Sequence, residues 1–185
     1  MDVKKIMTNI VYLIGKSGSG KYTIAKELAK QGYIICDNQL INYPIFSLLN
    51  YDGFTPIPQF VWKIITQIRD GIFTFLSQET INNYVLTNVL GDVEQDYKIF
   101  KQVEQMALNR NSLFIPVKLS ISIEENIKRI QNKERLLRYK SIDPEDVYKQ
   151  NLINISHPNL LELDVSNSLA IEAAKKILLH IKKLI

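Results

Sequence analysis

A nine-residue run of glycine, serine and lysine near the start of the chain carries the clearest chemistry in the sequence. Its residues are Gly15-Lys16-Ser17-Gly18-Ser19-Gly20-Lys21-Tyr22-Thr23. Glycines allow positive φ and close backbone approach, and successive N–H groups ahead of a helix form a nest for phosphate oxygens. Lys21 can bridge the outer phosphates of a nucleotide, and Ser17 and Ser19 can add hydroxyl donors.

The elements on either side of this run support the same chemistry. Residues 10–14 form an apolar run with β-branched residues, which predicts a buried strand. Ile24, Ala25, Leu28 and Ala29 then recur at the spacing of an amphipathic helix. A strand, a glycine-rich turn and a lysine at a helix start are the context in which G-x-x-x-x-G-K binds phosphate. We therefore expect residues 15–23 to bind a nucleotide; the alternative is a βα turn that binds no ligand.

The residue after the lysine departs from the usual pattern, in which a Ser or Thr hydroxyl reaches magnesium. Here that position is Tyr22, and the hydroxyl comes one residue later at Thr23. This G-K-x-T order resembles the loops of adenylate kinase and related small kinases, in which water and carboxylates hold most of the magnesium. The departure therefore weakens a GTPase or motor-ATPase interpretation more than a kinase interpretation.

Composition and charge exclude several classes of protein. The chain has 185 residues, of which 46% are hydrophobic, and this favours one domain, 1–185, with a sizeable core. The net charge of +4 suits a protein that handles phosphates. The sequence contains no basic run interleaved with aromatic residues, so it does not predict nucleic-acid binding. Cys36 is the only cysteine, residues 1–5 do not resemble a signal peptide, and no apolar run could span a membrane. We expect a cytoplasmic protein; oligomeric state has no signature in the sequence.

The second predicted strand, residues 33–36, ends at an acidic residue, Asp37. The carboxyl ends of strands are where ligands bind in open α/β sheets, so Asp37 can accept a proton from an acceptor hydroxyl or hold magnesium through water. Its alternative role is a helix N-cap or turn. Residues 39–58 are rich in proline, asparagine and aromatics and predict irregular structure.

A long helix is predicted over residues 59–76. Arg69 is its only arginine and is our candidate for binding an anionic group of an acceptor. A solvated surface arginine is the alternative. Residues 38–80 together form a predicted acceptor-binding insertion.

Cations cluster after the fourth predicted strand, residues 113–119, and we treat residues 122–145 as a lid region. Ser122-Ile123-Glu124-Glu125 is a capping box that predicts a helix start. Arg129 and Arg135 are the candidates to stack on a nucleotide base and to neutralise charge during phosphoryl transfer. The alternative is a solvated helix face with local ion pairs.

Two details of the strands remain open from the sequence. Pro116 lies inside the fourth strand, although proline cannot donate to a ladder. It must either face away from a partner strand or precede the strand's start. Residues 84–90 form the third predicted strand, and Asp92 or Asp96 after it could supply a second carboxylate, with a helix N-cap the favoured role for Asp92.

Strands and helices alternate throughout, which predicts a parallel sheet with helices on both faces. In the order of these elements the whole chain resembles the nucleoside-monophosphate kinase-like P-loop group, including shikimate, gluconate and chloramphenicol kinases. Residues 42–46 also look like small bacterial P-loop proteins grouped with AAA-type ATPases. The resemblance implies a three-layer P-loop fold whose five-stranded sheet has the order 2-3-1-4-5, with Mg²⁺ and ATP between the loop, the Arg-bearing lid and a turn near Asn167.

The resemblance also implies roles for particular residues. Asp37 matches the place where several of these kinases put a carboxylate beside the acceptor hydroxyl, and the spacing of Arg129 and Arg135 is similar to the shikimate kinase lid. Leu90-Gly91-Asp92 stands where shikimate kinases carry a glycine triplet, which disfavours shikimate as the acceptor.

The sequence therefore predicts an ATP-dependent small-molecule kinase. In this hypothesis Lys21, Arg129 and Arg135 stabilise the transferring phosphoryl group, Asp37 acts on the acceptor hydroxyl, and Thr23 with Asp37 holds magnesium. Two alternatives remain: a nucleotide-gated regulator or slow ATPase without an acceptor, and a nucleotide-binding protein without catalysis.

Overall fold

The computed structural model describes residues 7–149 and 151–185, and its centre is a sheet of five parallel strands. The strands are β1 (Asn9–Gly15), β2 (Tyr33–Asp37), β3 (Asn83–Asn88), β4 (Leu113–Ser120) and β5 (Leu161–Asp164). Their order across the sheet is β2-β3-β1-β4-β5, as the resemblance implies. Residues 1–5, which were compared with a signal peptide, lie outside the described residues.

Seven α-helices and a short 3-10 helix surround the described part of the sheet. They are α1 (Lys21–Ala29), α2 (Asn38–Leu48), α3 (Gln59–Gln78), α4 (Glu94–Asn109), α5 (Ile123–Ile130), the 3-10 helix (Lys133–Arg138), α6 (Asp146–Lys149) and α7 (Ala170–Leu184). Within the described ranges, no helix combines the length and apolarity that crossing a bilayer requires.

The alternation of side chains along β1 sorts the helices into two layers. Val11 and Leu13 pack in a core with α1 and α7, while Tyr12 and its even-numbered neighbours pack in a second core with α4 and the end of α3. Successive strand residues point to opposite faces, so the apolar residues 10–14 of β1 need a helix layer on each side. β1 is buried along its whole length, and this fixes the loop that follows it at the carboxyl edge of the sheet.

The insertion contains one more helix than the sequence predicts. The expectation of irregular structure over residues 39–58 is wrong for its first half, because α2 spans Asn38–Leu48 with Pro44 inside it. The Asp37 carboxylate caps this helix by accepting the Leu40 N–H at 3.1 Å. Proline removes one intrahelical bond, but the carbonyl it leaves unpaired belongs to Leu40, an exposed residue that water can reach.

The backbone directions of β4 resolve the conflict over Pro116. The Leu113 N–H donates to Thr8 on the β1 side, whereas the Ser120 carbonyl accepts from Val165 on the β5 side. Because strand residues alternate in direction, Pro116 shares the side of Ser120. β5 begins its pairing one residue later, at Val117. Among the described strands, the Pro116 nitrogen therefore faces no ladder acceptor, and the missing N–H costs no hydrogen bond.

Cys36 lies on β2 and is the only cysteine of the chain. Its side chain belongs to the core shared with α4. Burial raises the pKa of its thiol to about 12, so the thiol stays protonated and unreactive near neutral pH.

Candidate active site

The phosphate loop has the backbone of an anion nest. Gly18 and Gly20 adopt φ of +83° and +88°, values that only glycine takes without strain. The Ser19 N–H bonds back to the Lys16 carbonyl at 3.1 Å, and α1 starts directly after the loop at Lys21. The glycine-rich turn therefore leads directly into the N-terminus of α1, as phosphate binding requires.

Helix α5 holds this loop from behind through a buried asparagine. Asn126 is fully buried, and its Nδ2 donates to the Ser17 carbonyl at 2.6 Å. A Cβ on Gly18 would lie 2.5 Å from the Asn126 Nδ2 and 3.3 Å from the Ile130 nitrogen. Glycine at 18 thus serves both the positive φ and the close approach of α5.

The side chain of Lys21, the first residue of α1, folds back against the phosphate loop. Its Nζ donates to the carbonyls of Gly15, at 2.6 Å, and Lys16, at 2.8 Å. Burial, helped by the positive charges of Arg135 and Lys140, lowers its pKa to about 7. An anion bound in the nest would supply the counter-charge that this ammonium lacks.

Ser19 supplies a second sign that the loop fits a phosphate. Its hydroxyl is completely buried and has no hydrogen-bond partner among the described residues. Buried polar atoms are normally paired, so an unpaired hydroxyl beside the nest suits an oxygen ligand. The residues present therefore fit the phosphates of a nucleotide.

Asp37 takes part in two interactions at the end of β2. Besides capping α2, its Oδ1 accepts from Arg138 at 3.1 Å, with a side chain only 4% exposed. The N-cap role and the position at the cleft are therefore both present. As a ligand-facing carboxylate, Asp37 is reached only when Arg138 moves or shares it.

The ring of Tyr22 carries a group of cations. The Arg138 guanidinium lies 3.7 Å from the ring centroid, with the Lys140 ammonium at 4.7 Å and that of Lys26 at 5.4 Å. Cations are attracted to the face of an aromatic ring. Tyr22 thus attaches the 3-10 helix of the lid to the start of α1, beside the phosphate loop. Burial, with the repulsion of Arg138, lowers the pKa of Lys140 to about 8.

The two lid arginines chosen from the sequence hold different positions. Arg129 donates to the Glu125 carboxylate at 2.7 Å and to the carbonyls of Val165 and Ser166 in the turn after β5. Arg135 donates to the Ser141 carbonyl at 2.9 Å, and its pKa is lowered by burial. Arg129 therefore borders the turn near α7, whereas Arg135 is close enough to Lys21 to act on its charge.

The lid also touches the insertion. Gln39 on α2 donates to the Tyr139 carbonyl at 3.1 Å, and the Ile142 N–H donates to Gly53 at 3.3 Å. Gly53 has φ of +89°, and a Cβ there would lie 2.7 Å from a methyl of Leu136. The lid is thus in contact with the insertion across the mouth of the site.

One cleft of about 990 Å³ joins these groups. Residues 17–24 of the phosphate loop and α1 line it, together with Asp37, the lid residues 138–141 and the turn at 168–170. Its far wall is formed by α2, the start of α3 and the end of β3, where the lining side chains are amides, aromatics and aliphatics. A volume of this size accommodates a nucleotide and a second small molecule.

Most of the predicted site residues line this cleft, and three do not. The lining residues include Ser17, Gly18, Ser19, Gly20, Lys21, Tyr22, Thr23, Asp37, Arg129 and Arg135. Gly15 stands behind the loop as an acceptor for Lys21. Asn167 is exposed in the turn after β5, where Val165 and Ser168 line the cleft instead.

Arg69 has a different environment from the one predicted. It is 9% exposed on α3 and does not line the cleft in the part of the chain that the structure describes. Burial lowers the pKa of its guanidinium, and the interactions with Tyr12, Asp70 and Asp96 act against this. The solvated surface role does not fit this position, because α3 turns Arg69 inward. The Arg69 Nε is buried without a partner among the described residues, so its role in binding an anionic group stays a prediction.

The donor set for magnesium is small. Thr23 and Asp37 both line the cleft, as do Glu134 and Asp146, and no group of three or more His, Cys, Asp or Glu side chains that could hold a metal ion occurs among the described residues. Asp96 accepts the Gly91 N–H, and Asp92 accepts from the Tyr97 hydroxyl, so neither lines the cleft. Val93, rather than Asp92, is the N-cap of α4. One hydroxyl and one carboxylate suit Mg²⁺, which keeps most of its waters.

Several residues of the site escaped prediction from the sequence. In the sequence, Arg138 and Lys140 are two cations among several. Their contact with Tyr22 forms only when the lid folds back over α1, which the sequence does not show. Nothing in the sequence marks Asn126, because any polar helix residue can follow a capping box. Asn42 and Trp62 were unassigned members of the insertion, which matches no motif.

Solved structures with the same architecture give the family context. No family model and no curated protein sequence matches the chain. A gluconokinase from Sinorhizobium meliloti 1021 superposes with a TM-score of 0.65 at 13% identity, covering 96% of this chain and 94% of that chain.

Two further solved structures resemble this chain to a similar degree. An APS kinase from Mycobacterium tuberculosis has a TM-score of 0.57 at 14% identity, covering 95% of this chain and 98% of that chain. A shikimate kinase from Acinetobacter baumannii has a TM-score of 0.56 at 16% identity, covering 97% and 96%. The parallel sheet of order β2-β3-β1-β4-β5, with a phosphate loop after β1, is the fold of the small-molecule P-loop kinases, and this chain has that fold.

Proposed function

We propose that the protein is an ATP-dependent phosphotransferase that transfers the terminal phosphoryl group of ATP to a hydroxyl- or phosphate-bearing small molecule. The observation that carries the proposal is one cleft lined by both Lys21 in its phosphate loop and Asp37 at the end of β2. The kinase fold of the neighbours supports it. The single cysteine favours a cytoplasmic setting, where ATP is plentiful.

In this mechanism the phosphate loop N–H groups and Lys21 bind the outer phosphates and stabilise charge as it moves towards the leaving ADP oxygen. Arg135 and Arg129 add positive charge from the lid. Asp37 accepts the proton of the acceptor hydroxyl as the new O–P bond forms and the bond to ADP breaks. Magnesium bound with the nucleotide would neutralise phosphate charge, with Thr23 and a water on Asp37 as its protein contacts.

Phosphorus NMR tests the proposal directly. The protein is incubated with magnesium-ATP and a pooled set of hydroxyl- and phosphate-bearing metabolites, and growth of a new phosphoester signal is measured. Lys21→Ala is expected to slow that growth by roughly 30- to 1000-fold, about 2–4 kcal/mol of transition-state stabilisation. Lys30→Ala is the matched control, since Lys30 lies beyond the end of α1 and pairs only locally with Glu27.

The other outcomes separate the alternative functions. Release of inorganic phosphate alone, at a rate that Lys21→Ala lowers, would contradict phosphotransfer and support an ATPase or regulator. Stabilisation by ATP without any turnover would support a binding protein. Equal phosphoester growth in Lys21→Ala and the control would rule out a mechanism that depends on the Lys21 ammonium.

A further inference from the structure

The cationic side chains that line the cleft come from one part of it, where the carboxylates of Glu134 and Asp146 also line it. All of its cationic side chains, within the described residues, come from two segments: residues 21–26 and residues 128–140 of the lid. These segments meet at Tyr22, where Arg138 and Lys140 lie over the ring. This cationic half surrounds the phosphate loop, so its charge serves the phosphates of a nucleotide.

The opposite wall, which we call the insertion wall, consists of the cleft-lining residues of 38–62 and 87–89. Its lining side chains are neutral throughout. Asp37, the carboxylate that borders this wall, is already paired with Arg138. The cations nearest to this wall belong to the lid, where Arg138 is already paired with Asp37 and lies with Lys140 over the Tyr22 ring. An anionic group on the insertion wall would therefore find no counter-charge on the wall itself.

Arg69, the predicted contact for an anionic group of the acceptor, lies in the interior and is not one of the residues that line this wall. The guanidinium is on the inward side of α3, and none of the lining residues of that helix is charged. The insertion wall therefore lacks the feature that an acidic acceptor would need.

Hydrogen-bonding capacity on the same wall is unfilled. Asn42 lines the cleft and is 4% exposed, yet its Oδ1 has no partner among the described residues. The Oδ1 of Asn38, one helical turn earlier, is also buried and unpaired. Two buried amide oxygens call for O–H or N–H donors from a ligand.

Aromatic rings complete the wall beside these amides. Phe46 packs edge-on against Trp62 at 5.9 Å between centroids and against Tyr51 at 5.1 Å. Trp62 remains 43% exposed, so part of its ring is available to a ligand. Ring faces next to planar amides suit a compound that has both an apolar face and hydroxyl or N–H groups at its edge.

We propose that the acceptor is a neutral hydroxyl compound with a ring, of the sugar or nucleoside type, bound on Asn42 and the Phe46–Trp62 pair. This inference rests on the proposed function and adds the class of substrate. The ring lies on the exposed part of Trp62, and its donors bond the Asn42 and Asn38 amides. Its reacting hydroxyl loses a proton to Asp37 as the new O–P bond forms and the bond from that phosphorus to the leaving ADP oxygen breaks. Sugars and nucleosides share this chemistry, and the test separates them.

Matched pairs of neutral and anionic compounds test the proposal by binding alone. The pairs are glucose with glucose 6-phosphate, N-acetylglucosamine with its 6-phosphate, adenosine with AMP, and uridine with UMP. Binding is measured by calorimetry on the full chain, with and without a saturating non-hydrolysable ATP analogue that fills the nucleotide end. Turnover of the same compounds with magnesium-ATP is followed separately.

The expected result is that at least one neutral member binds tenfold or more tightly than its anionic partner. Asn42→Leu and Trp62→Ala should each raise that Kd by tenfold or more, while the Kd for the ATP analogue changes less than twofold. Phe60→Ala is the control, because Phe60 is exposed on the same turn of α3 and does not line the cleft.

Two results overturn the proposal: no neutral member binds more tightly than its anionic partner, or the preferred compound binds equally well to Asn42→Leu and Trp62→Ala. A neutral compound that binds as expected but receives no phosphoryl group leaves the substrate-class inference standing and contradicts the proposed function. If only the sugars bind selectively, the acceptor belongs to the sugar class. If only the nucleosides do, it belongs to the nucleoside class.

Discussion

The two ends of the cleft are built in different ways. At the nucleotide end, nine consecutive residues make the binding surface from their own backbone, with positive φ at Gly18 and Gly20. At the acceptor end, the surface is made of side chains from α2, α3 and β3, which are distant parts of the chain. The first surface is specified by local sequence, and the second exists only when the long-range packing is complete.

This contrast separates what can vary from what cannot. A backbone nest binds any polyphosphate, so its residues are fixed by conformation rather than by the ligand's identity. The insertion wall, in our proposal, selects the ligand through side chains such as Asn42 and Trp62. Changes in the loop should therefore lower activity towards every acceptor, and changes in the wall should alter which acceptor is used.

Gly18→Ala should have the largest effect of the tests that separate the two ends. A non-glycine residue at this φ costs about 1–3 kcal/mol, and the Cβ would also displace Asn126. We expect the Kd for ATP to rise roughly 30-fold or more, measured by calorimetry. Gly32→Ala is the control: its φ is also positive, but open space surrounds it, so stability falls without a change in Kd. Equal Kd values for ATP in the two variants would contradict a phosphate-binding nest that requires glycine at position 18.

The pH dependence of ATP binding tests the nucleotide end without altering the fold. Burial lowers the pKa of Lys21 to about 7, and bound phosphate favours its charged form. Above that pH the complex must take up a proton, so the Kd for ATP should rise about tenfold per pH unit between roughly pH 7.5 and 9. Calorimetry in buffers of different ionisation enthalpy measures the uptake.

Lys21→Met provides the baseline for this titration, because it keeps the ionisation of ATP but removes the ammonium. Lys140→Met is a second control, since the pKa of Lys140 is also lowered, to about 8. A pH slope that survives Lys21→Met unchanged would assign the proton to another group.

The contact between the lid and Asp37 should have an intermediate effect. Arg138 and Asp37 lie 3.1 Å apart, with the carboxylate buried. A double-mutant cycle with Arg138→Met and Asp37→Asn should give a coupling of about 1 kcal/mol in the free energy of unfolding, measured in urea. Asparagine still caps α2, so the cycle isolates the ion pair. Additive effects of the two changes would show that the pair contributes nothing.

The smallest expected effect concerns the ring of Tyr22. Tyr22→Leu removes the platform for Arg138 and Lys140 and should lower the free energy of unfolding by about 0.5–1 kcal/mol. Tyr22→Phe keeps the ring and should match the parent protein within error. If both variants lose the same stability in urea, the hydroxyl rather than the ring face holds the lid.

The same division explains which features could be predicted from sequence. The phosphate loop, the alternation of strands and helices and the start of α5 were predictable because motif, period and capping box are local patterns. The strand order followed from the family resemblance instead. α2 was missed because Pro44 suggested an irregular segment, whereas a side-chain cap from Asp37 and burial of Phe46 outweigh the lost bond. The inward direction of Arg69 depends on how α3 packs, which no residue spacing specifies.

The buried position of Cys36 makes the protein suitable for observing single molecules by fluorescence. Its protonated thiol on β2 will not compete for maleimide dyes at neutral pH. Cysteines introduced at two exposed sites, Leu137→Cys in the lid and Phe60→Cys on α3, can therefore be labelled selectively without altering the core. Energy transfer between those dyes would report any change in the separation of lid and insertion when ATP is added.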